Sequence, residues 1–375
     1  MRNIKWKHYI NYIVIALVTV VFTVLALSGV LTRSIQVNLE KIAISIMLAV
    51  SLSLVVGFLG ELSLGHAGFM CVGAYLGGKT AALLASSLGN GVLTLVISLV
   101  VGGVCAGICG FIIGLPALRL KGDYLAITTL AFGEIVRVIF QNSSAESFGG
   151  AIGLPTPRFD RNYFFIICFI MVLVTLAVIQ NIIRSKHGRA ITAIRDNEIA
   201  ARATGINVTK YKLTGFIVAA VFAGLAGVLF SYTQNSVQSN TFDYNYSIEM
   251  LVMVVLGGMG NINGAIISAA LITYLNSELA TILTGDLAVL KDLVYALILI
   301  LIVIYNNAPA LANFREKHNL KKLFSRFDKK NKKHDTDDTG RWDIVPSKIE
   351  MDALLSTDFV VNEVKPDKPT EEDKK

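Results

Sequence analysis

RSKHGRAITAIRDNEIAARATGINVTKYKLTG, residues 184–215, is a polar, basic island between two apolar runs, Tyr163–Ile183 and Leu213–Phe230. About 20 apolar residues suffice to cross a bilayer as a helix, so the island reads as a loop joining two membrane spans. It carries its own helix signals. Asp196 or Asn197 supplies an N-cap, and Glu198 sits in the first turn, where the helix dipole favours a carboxylate. Gly205 stands where a left-handed helix stop belongs, and the apolar Ile206 after it is placed to pack back on the helix. These limits give about seven helical residues, roughly 10 Å. Caps and spacing leave two readings open: an ordinary basic loop, or a short charged helix that serves as a handle for a soluble partner.

Composition narrows the class. The chain is 54% hydrophobic and 16% charged, against about 25% charged in ordinary soluble domains, and its mean hydropathy is +0.61. Lipid admits only helices and closed barrels, because backbone groups there must be satisfied internally. Barrel strands alternate polar and apolar residues, whereas these runs are apolar on all sides. An all-α, polytopic helical membrane protein follows, with no room for a large soluble domain before residue 313. The four cysteines, Cys71, Cys105, Cys109 and Cys168, all fall in apolar runs, which suits small packing residues better than a metal site or a disulfide framework. The N-terminus, MRNIKWKHYINY and an apolar run to Leu31, resembles a signal peptide. The run is long for one and further spans follow at once, so an uncleaved first span is expected.

Spans are expected near 10–31, 39–59, 67–85, 92–115, 123–141, 162–183, 212–232, 247–258, 264–283 and 289–306, about ten crossings. Alternate connections differ in charge. One side holds twelve cations: Arg2, Lys5, Lys7, Arg119, Lys121 and the seven between Arg184 and Lys212; the other holds Arg33, Arg158, Arg161 and Lys291. The positive-inside bias places both termini and the 184–212 loop in the cytoplasm of a multi-pass cell (inner, cytoplasmic) membrane protein. Two breaks, GELSLGHAG (60–68) and GGMGNING (257–264), interrupt apolar sequence with glycines and polar residues. Unwound backbone at membrane depth requires surrounding protein or a wet cavity, and broken helices point to a translocation path. That reading makes Ser63, Gly65, His66, Gly68, Glu249, Gly257, Gly258, Gly260 and Asn261 path candidates. The plainer alternative at GGMGNING is a short connecting turn. His66 is expected to hydrogen-bond unwound carbonyls, with a pH switch as the weaker alternative.

Gly103, Gly107, Gly110 and Gly114 share one helix face, which permits close helix approach either within the chain or at a seam with a second permease. Gly73–Thr80 matches the phosphate-loop pattern G-x-x-x-x-G-K-[ST]. That pattern works only between a strand and a helix, and this stretch lies inside an apolar span, so nucleotide binding is rejected. Lys79 is expected at the outer interface or in a wet cavity. Glu134 and Arg137 are three residues apart on one helix and suited to pair, and Glu278 lies near the end of its span. No catalytic constellation and no metal-ligand set is visible, so neither an enzyme nor a metalloprotein is expected. Residues 313–375 read as a charged, disordered cytoplasmic tail. Residues 315–333 carry net charge +7 and 334–375 carry −6. The basic half suits anionic headgroups, at about 1 kcal/mol per near-surface cation. Trp342, Ile344 and Val345 form a small apolar patch within the tail.

Four blocks then carry a family resemblance: GELSLGHAGFMCVGAYLGG (60–78), LPALRLKGDYLAITTLAFGEIVRVI (115–139), GRAITAIRDNEIAARATGINVTKYKL (188–213) and SIEMLVMVVLGGMGNINGAIISAAL (247–271). In order and together, they resemble the LivM-type permease of branched-chain amino-acid ABC importers across most of 39–306. The LRLKGDYLAI block and the long first span favour this subunit over its LivH-type sister. The resemblance implies a non-hydrolysing permease domain (1–312) paired with a LivH-type permease. It also implies two cytoplasmic ABC ATPases, an extracytoplasmic amino-acid binding protein, membrane lipid around the complex and no nucleic-acid partner. The chain itself needs no cofactor, ATP being used by the partner ATPases. The 184–212 loop becomes the coupling loop, with Glu198, Ala200, Ala201 and Gly205 at the Glu-Ala-Ala…Gly positions, the glycine one place later than in that pattern. Arg195, Asp196, Glu198 and Arg202 are the expected docking contacts. The solute implied is leucine, isoleucine or valine, with urea or short amides as the alternative. A secondary transporter driven by an ion gradient is the first rival, opposed by the scarcity of deep charges. A scaffold or sensor working through its tail is the second. Deleting residues 315–375 separates the permease from the scaffold: a permease keeps most of its uptake activity, measured in cells, whereas a scaffold loses its function.

Overall fold

The structure, a computed structural model, describes residues 10–28, 32–89, 91–120, 122–157 and 164–282, with residues 296, 297 and 300. The expected span at 289–306 and the tail at 313–375 lie outside the described residues. Twelve α-helices follow in order: α1 Ile10–Leu27, α2 Arg33–Ser53, α3 His66–Leu88, α4 Val92–Ala117, α5 Asp123–Gln141, α6 Ala145–Phe148, α7 Phe164–Arg184, α8 Lys186–Asp196, α9 Glu198–Ala203, α10 Val208–Thr233, α11 Tyr244–Gly257 and α12 Ile262–Ile282. A π-helical segment, Leu54–Leu59, continues α2. The expected all-α class holds; two two-residue strands, β1 (Leu154–Pro155) and β2 (Ser236–Val237), form a small antiparallel clip between loops.

Six described helices are long and apolar enough to cross a membrane: α2 with its π-helical extension, α3, α4, α7, α10 and α12. The ten expected crossings are therefore not all matched. α5 carries Asp123, Glu134 and Arg137. α11 has 14 residues, about 21 Å at 1.5 Å per residue, short of a hydrocarbon core of about 30 Å. α2 begins at Arg33, six residues before the expected span, because its polar first turns satisfy one another. Arg33 donates to Gln36 at 3.0 Å, and Arg33 lies 3.8 Å from the buried Glu40.

The core is built on α2 and on a tight α3–α4–α10 bundle. α2 is buried almost continuously from Ala43 to Ser53, packing against α7, α10, α11 and α12. An all-round apolar helix belongs in such a position. Within the bundle, small residues let backbones touch. A Cβ on Gly73 would run into the Gly224 backbone, and one on Gly227 into the carbonyl of Met70. The Gly103–Gly114 stripe resolves in favour of packing within the chain. Gly103 faces Leu225, Gly107 faces Val221, Gly110 faces Ala220 and Gly114 faces Leu213 and Phe216, all on α10. The opposite face of α4 (Val96, Val100, Val104, Phe111) is exposed.

The phosphate-loop look-alike is continuous α3, so its amides are committed to the helix ladder, and Lys79 Nζ donates to the Glu146 carbonyl on α6 at 3.0 Å. Glu134 and Arg137 pair at 2.7 Å. All four cysteines are free thiols, Cys71 and Cys168 fully buried. Overpacking a closed helix contact costs about 1–3 kcal/mol or more. Gly227→Leu is therefore expected to lower the melting temperature of the detergent-solubilised protein sharply. Gly91→Ala, where an added Cβ meets open space, is expected to leave it unchanged; thermal unfolding monitored by size-exclusion chromatography compares the two.

Candidate functional site

The island at 184–215 folds as two short helices, α8 and α9, leading into α10. α8 was not visible to the cap-based reading, yet its signals are present. The Ser185 hydroxyl caps it, accepting from the His187 amide at 3.1 Å. Ala190, Ile191 and Ile194 form its buried face, at the 3–4-residue spacing of an amphipathic helix. α9 starts where expected, and of the two candidate caps it uses Asn197, whose Oδ1 accepts from the Ala200 amide at 3.0 Å; Asp196 ends α8. Gly205 adopts φ +83°, the left-handed conformation that closes a helix. The Ile206 amide then donates to the Ala201 carbonyl at 3.1 Å. Ile206 packs with Ile194, Ala201 and Val208 in a small core of its own.

Contacts made by two charged side chains fasten this element to the first glycine break and to the π-helical end of α2. The first centres on Lys212, at the start of α10. Its side chain is 6% exposed, and its ammonium donates to Glu61 Oε1 and, at 3.2 Å, to Glu198 Oε2. Glu61 lies in the first break and Glu198 opens α9. The other Glu198 oxygen accepts from Arg202 at 2.9 Å. A buried ammonium is tolerable only with such compensation. The second contact centres on Arg195. One guanidinium nitrogen donates to the Gly57 carbonyl at 3.1 Å, and two others hold Asp196 Oδ1 at 3.0 and 2.9 Å. Gly57 belongs to the π-helical end of α2, where carbonyls lack helical partners and attract a cation.

The geometry around Arg195 requires glycine. Gly60 has φ +78°, and a Cβ there would come within 2.7 Å of Arg195 Cγ. A Cβ on Gly57 would strike the backbone nitrogen of Gly260, in the second break. Both breaks, the π-helical end of α2 and the α8–α9 elbow therefore meet around Arg195 and Lys212.

The second break is a short connecting turn, the plainer of the two readings, linking two helices of a hairpin. Gly258 and Gly260 have φ +89° and +80°, the Asn261 amide donates to the Gly258 carbonyl at 3.0 Å, and Gly257 lies against the Gly264 backbone. Gly260 and Asn261 border a cavity of about 220 Å³ with Gln180 and Arg184. The first break is an irregular stretch, 60–65, held by protein: the Leu64 amide donates to Thr129 Oγ1 at 3.0 Å. His66 does not bond unwound carbonyls. It is the first residue of α3, 2% exposed, with Nε2 3.0 Å from Ser51 Oγ. Ser63 is buried; a Cβ on Gly65 would approach the Thr129 carbonyl to 2.6 Å, and one on Gly68 the Gly133 Cα to 2.7 Å. These residues pack α3 on α5. Glu249 stands apart from this cluster, accepting from Asn276 at 3.0 Å beside a separate, larger cavity.

Of the expected docking residues, Asp196 and Arg202 are open to solvent, with side chains 67% and 69% exposed. Glu198 is turned inward and Arg195 bridges, Ala200 is exposed and Ala201 is buried. Ile199, which the sequence reading passed over, is 81% exposed at the tip of α9. Its signal was a large aliphatic residue in a short helix, EIAARA, whose other apolar residues are all alanines.

Residues 34–303 match a family model described as the permease component of branched-chain amino acid transport systems. Over 268 residues the chain is 37% identical to the high-affinity branched-chain amino acid transport system permease protein LivM of Salmonella typhimurium, covering 63% of this chain and 61% of that protein. LivM of Escherichia coli K12 is 36% identical over 267 residues, with the same shares. The ribose import permease protein RbsC of Escherichia coli K12 is 32% identical over 165 residues, 42% of this chain and 47% of that one. The matched stretch thus spans less than two thirds of these relatives' length. No solved structure matches the chain.

Removing one partner of a buried, compensated charge cluster costs about 3–5 kcal/mol, less where a member is partly exposed, as Glu198 is here. Lys212→Met is expected to loosen α9, raising amide exchange across residues 198–206 by tenfold or more while α10 stays protected. Adding Glu61→Gln should restore part of that protection. Hydrogen–deuterium exchange with mass spectrometry reads both.

Proposed function

We propose, for a chain that belongs to the family of permease components of branched-chain amino acid transport systems, that it is the LivM-type transmembrane subunit of an ATP-binding-cassette importer. It carries leucine, isoleucine and valine delivered by an extracytoplasmic binding protein. It works in the cell membrane with a LivH-type permease and two cytoplasmic ATPases, and hydrolyses no ATP itself. Both termini and the α8–α9 elbow face the cytoplasm, in keeping with the concentration of Lys and Arg on that side.

One observation carries the mechanism: an exposed, capped helix tip, at Ile199 and Arg202, is fastened through Glu198–Lys212–Glu61 and Arg195–Gly57 to the irregular 60–65 stretch and the π-helical end of α2. An ATPase groove takes the tip, with Ile199 as the apolar contact and Arg202 and Asp196 as polar ones. ATP binding closes the ATPase pair and displaces α9. Because α9 is pinned to the π-helical end of α2 and to the 60–65 stretch, the displacement moves them with it. Nucleotide energy biases the permease only through such differential contacts in the two states.

In vesicles holding the full importer, Ile199→Asp with Arg202→Glu is expected to cut ATP-driven leucine uptake at least tenfold, with membrane insertion and permease pairing intact. Wild-type uptake by that double variant would remove α9 as the coupling element. Uptake driven by an ion gradient in vesicles without ATPases would remove the importer reading itself.

A further inference from the structure

At the end of the helices remote from α8 and α9 lies a cavity of about 550 Å³, between α2, α11, α12 and the end of α10. Such a volume is in the range of small-molecule sites. Its wall is divided by chemistry. Lys41 projects from the third turn of α2, and Glu249 from the second turn of α11. Ile44, Phe230 and Met253 supply an apolar surface. Charged side chains this far into apolar helices face water or a polar ligand. Lys41 is exposed and, among the described residues, makes no hydrogen bond or ion pair. Glu249 is oriented by Asn276, whose amide donates to Oε1 at 3.0 Å. Thr273 Oγ1, also on the wall, is buried without a hydrogen-bond partner. A buried hydroxyl left unpaired carries a desolvation cost that a polar ligand group would remove.

We propose that this cavity is a binding site, within this subunit, for a free zwitterionic amino acid with an aliphatic side chain. Lys41 takes the α-carboxylate, Glu249 takes the α-ammonium, the Thr273 hydroxyl completes the polar contacts and the apolar surface receives the side chain. The proposal rests on the importer reading and deepens it: the permease itself, and not only the binding protein, recognises the amino-acid backbone. Along α2, Lys41 lies 16 residues from Gly57, about 24 Å at 1.5 Å per residue, so one continuous helix runs from this site to the Arg195 contact.

The test uses the assembled permease–ATPase complex in lipid nanodiscs without the binding protein, with radiolabelled leucine and two competitors. Leucinamide lacks the carboxylate, and 4-methyl-2-oxopentanoate lacks the ammonium. Leucine is expected to bind, and each competitor to bind at least tenfold more weakly. Lys41→Met should weaken leucine at least tenfold and leave leucinamide unchanged; Glu249→Gln should weaken leucine and leave the keto acid unchanged. The wild-type competitor series needs no variant, so poor folding of either variant does not shelter the idea. Absent leucine binding in a complex that still performs ATP-driven leucine uptake overturns the site and leaves the importer standing. Equal binding of the three compounds, or leucine binding untouched in both variants, does the same. A complete importer that takes up no leucine overturns the importer reading and this site together.

Discussion

A single ammonium, that of Lys212, holds the membrane part of the chain to its solvent-facing elbow. It is buried between a carboxylate from the irregular 60–65 stretch and a carboxylate from the first turn of α9. Arg202 pairs with the other oxygen of Glu198. The cluster is expensive to desolvate and strongly coupled once formed, so the three segments adopt their positions together. Arg195 adds a second attachment a short distance away. With two attachments, the elbow resists twisting as well as pulling.

The rest of the fold provides a frame against which these attachments act. The α3–α4–α10 bundle is closed by glycines whose backbones nearly touch, which leaves little freedom for sliding between those helices. α2 is buried along most of its length, yet its last turn is π-helical and opens into glycine and irregular backbone. Rigid bundle and loosened helix end lie side by side, and Lys212, on α10 and bonded to Glu61, stands at the boundary between them.

Much of this was legible in the sequence. Long apolar runs gave the helices, and caps gave α9 and its glycine stop, because both signals are local. The breaks at 60–65 and 258–261 were legible as interruptions of apolar sequence. What joined them was not. Lys212 and Glu61 are 151 residues apart, and nothing in either one's neighbourhood names the other; Lys212 reads as one more cation of a basic loop. The π-helical segment LVVGFL is as apolar as any α-helix. α8 was obscured because its apolar face is only three residues wide and sits among four cations, Arg184, Lys186, Arg189 and Arg195. α11 was read as a full crossing because apolar composition does not report where a helix stops short. His66 was expected to serve loop carbonyls because sequence does not show that Ser51 lies beside it.

The π-helical end of α2 also fixes a residue count. A π-helical turn accommodates one residue more than an α-helical turn. Loss of one residue from 54–59 would force the segment to re-form as ordinary α-helix, and the contacts of Gly57 and Gly60 with the Arg195 side chain depend on the present turn. Length variation among natural descendants of this chain should therefore avoid 54–61 altogether. A gap placed inside LVVGFL when related chains are aligned would signal a misplaced register, and the lengths of homologous chains supply a record of this constraint that owes nothing to side-chain identity.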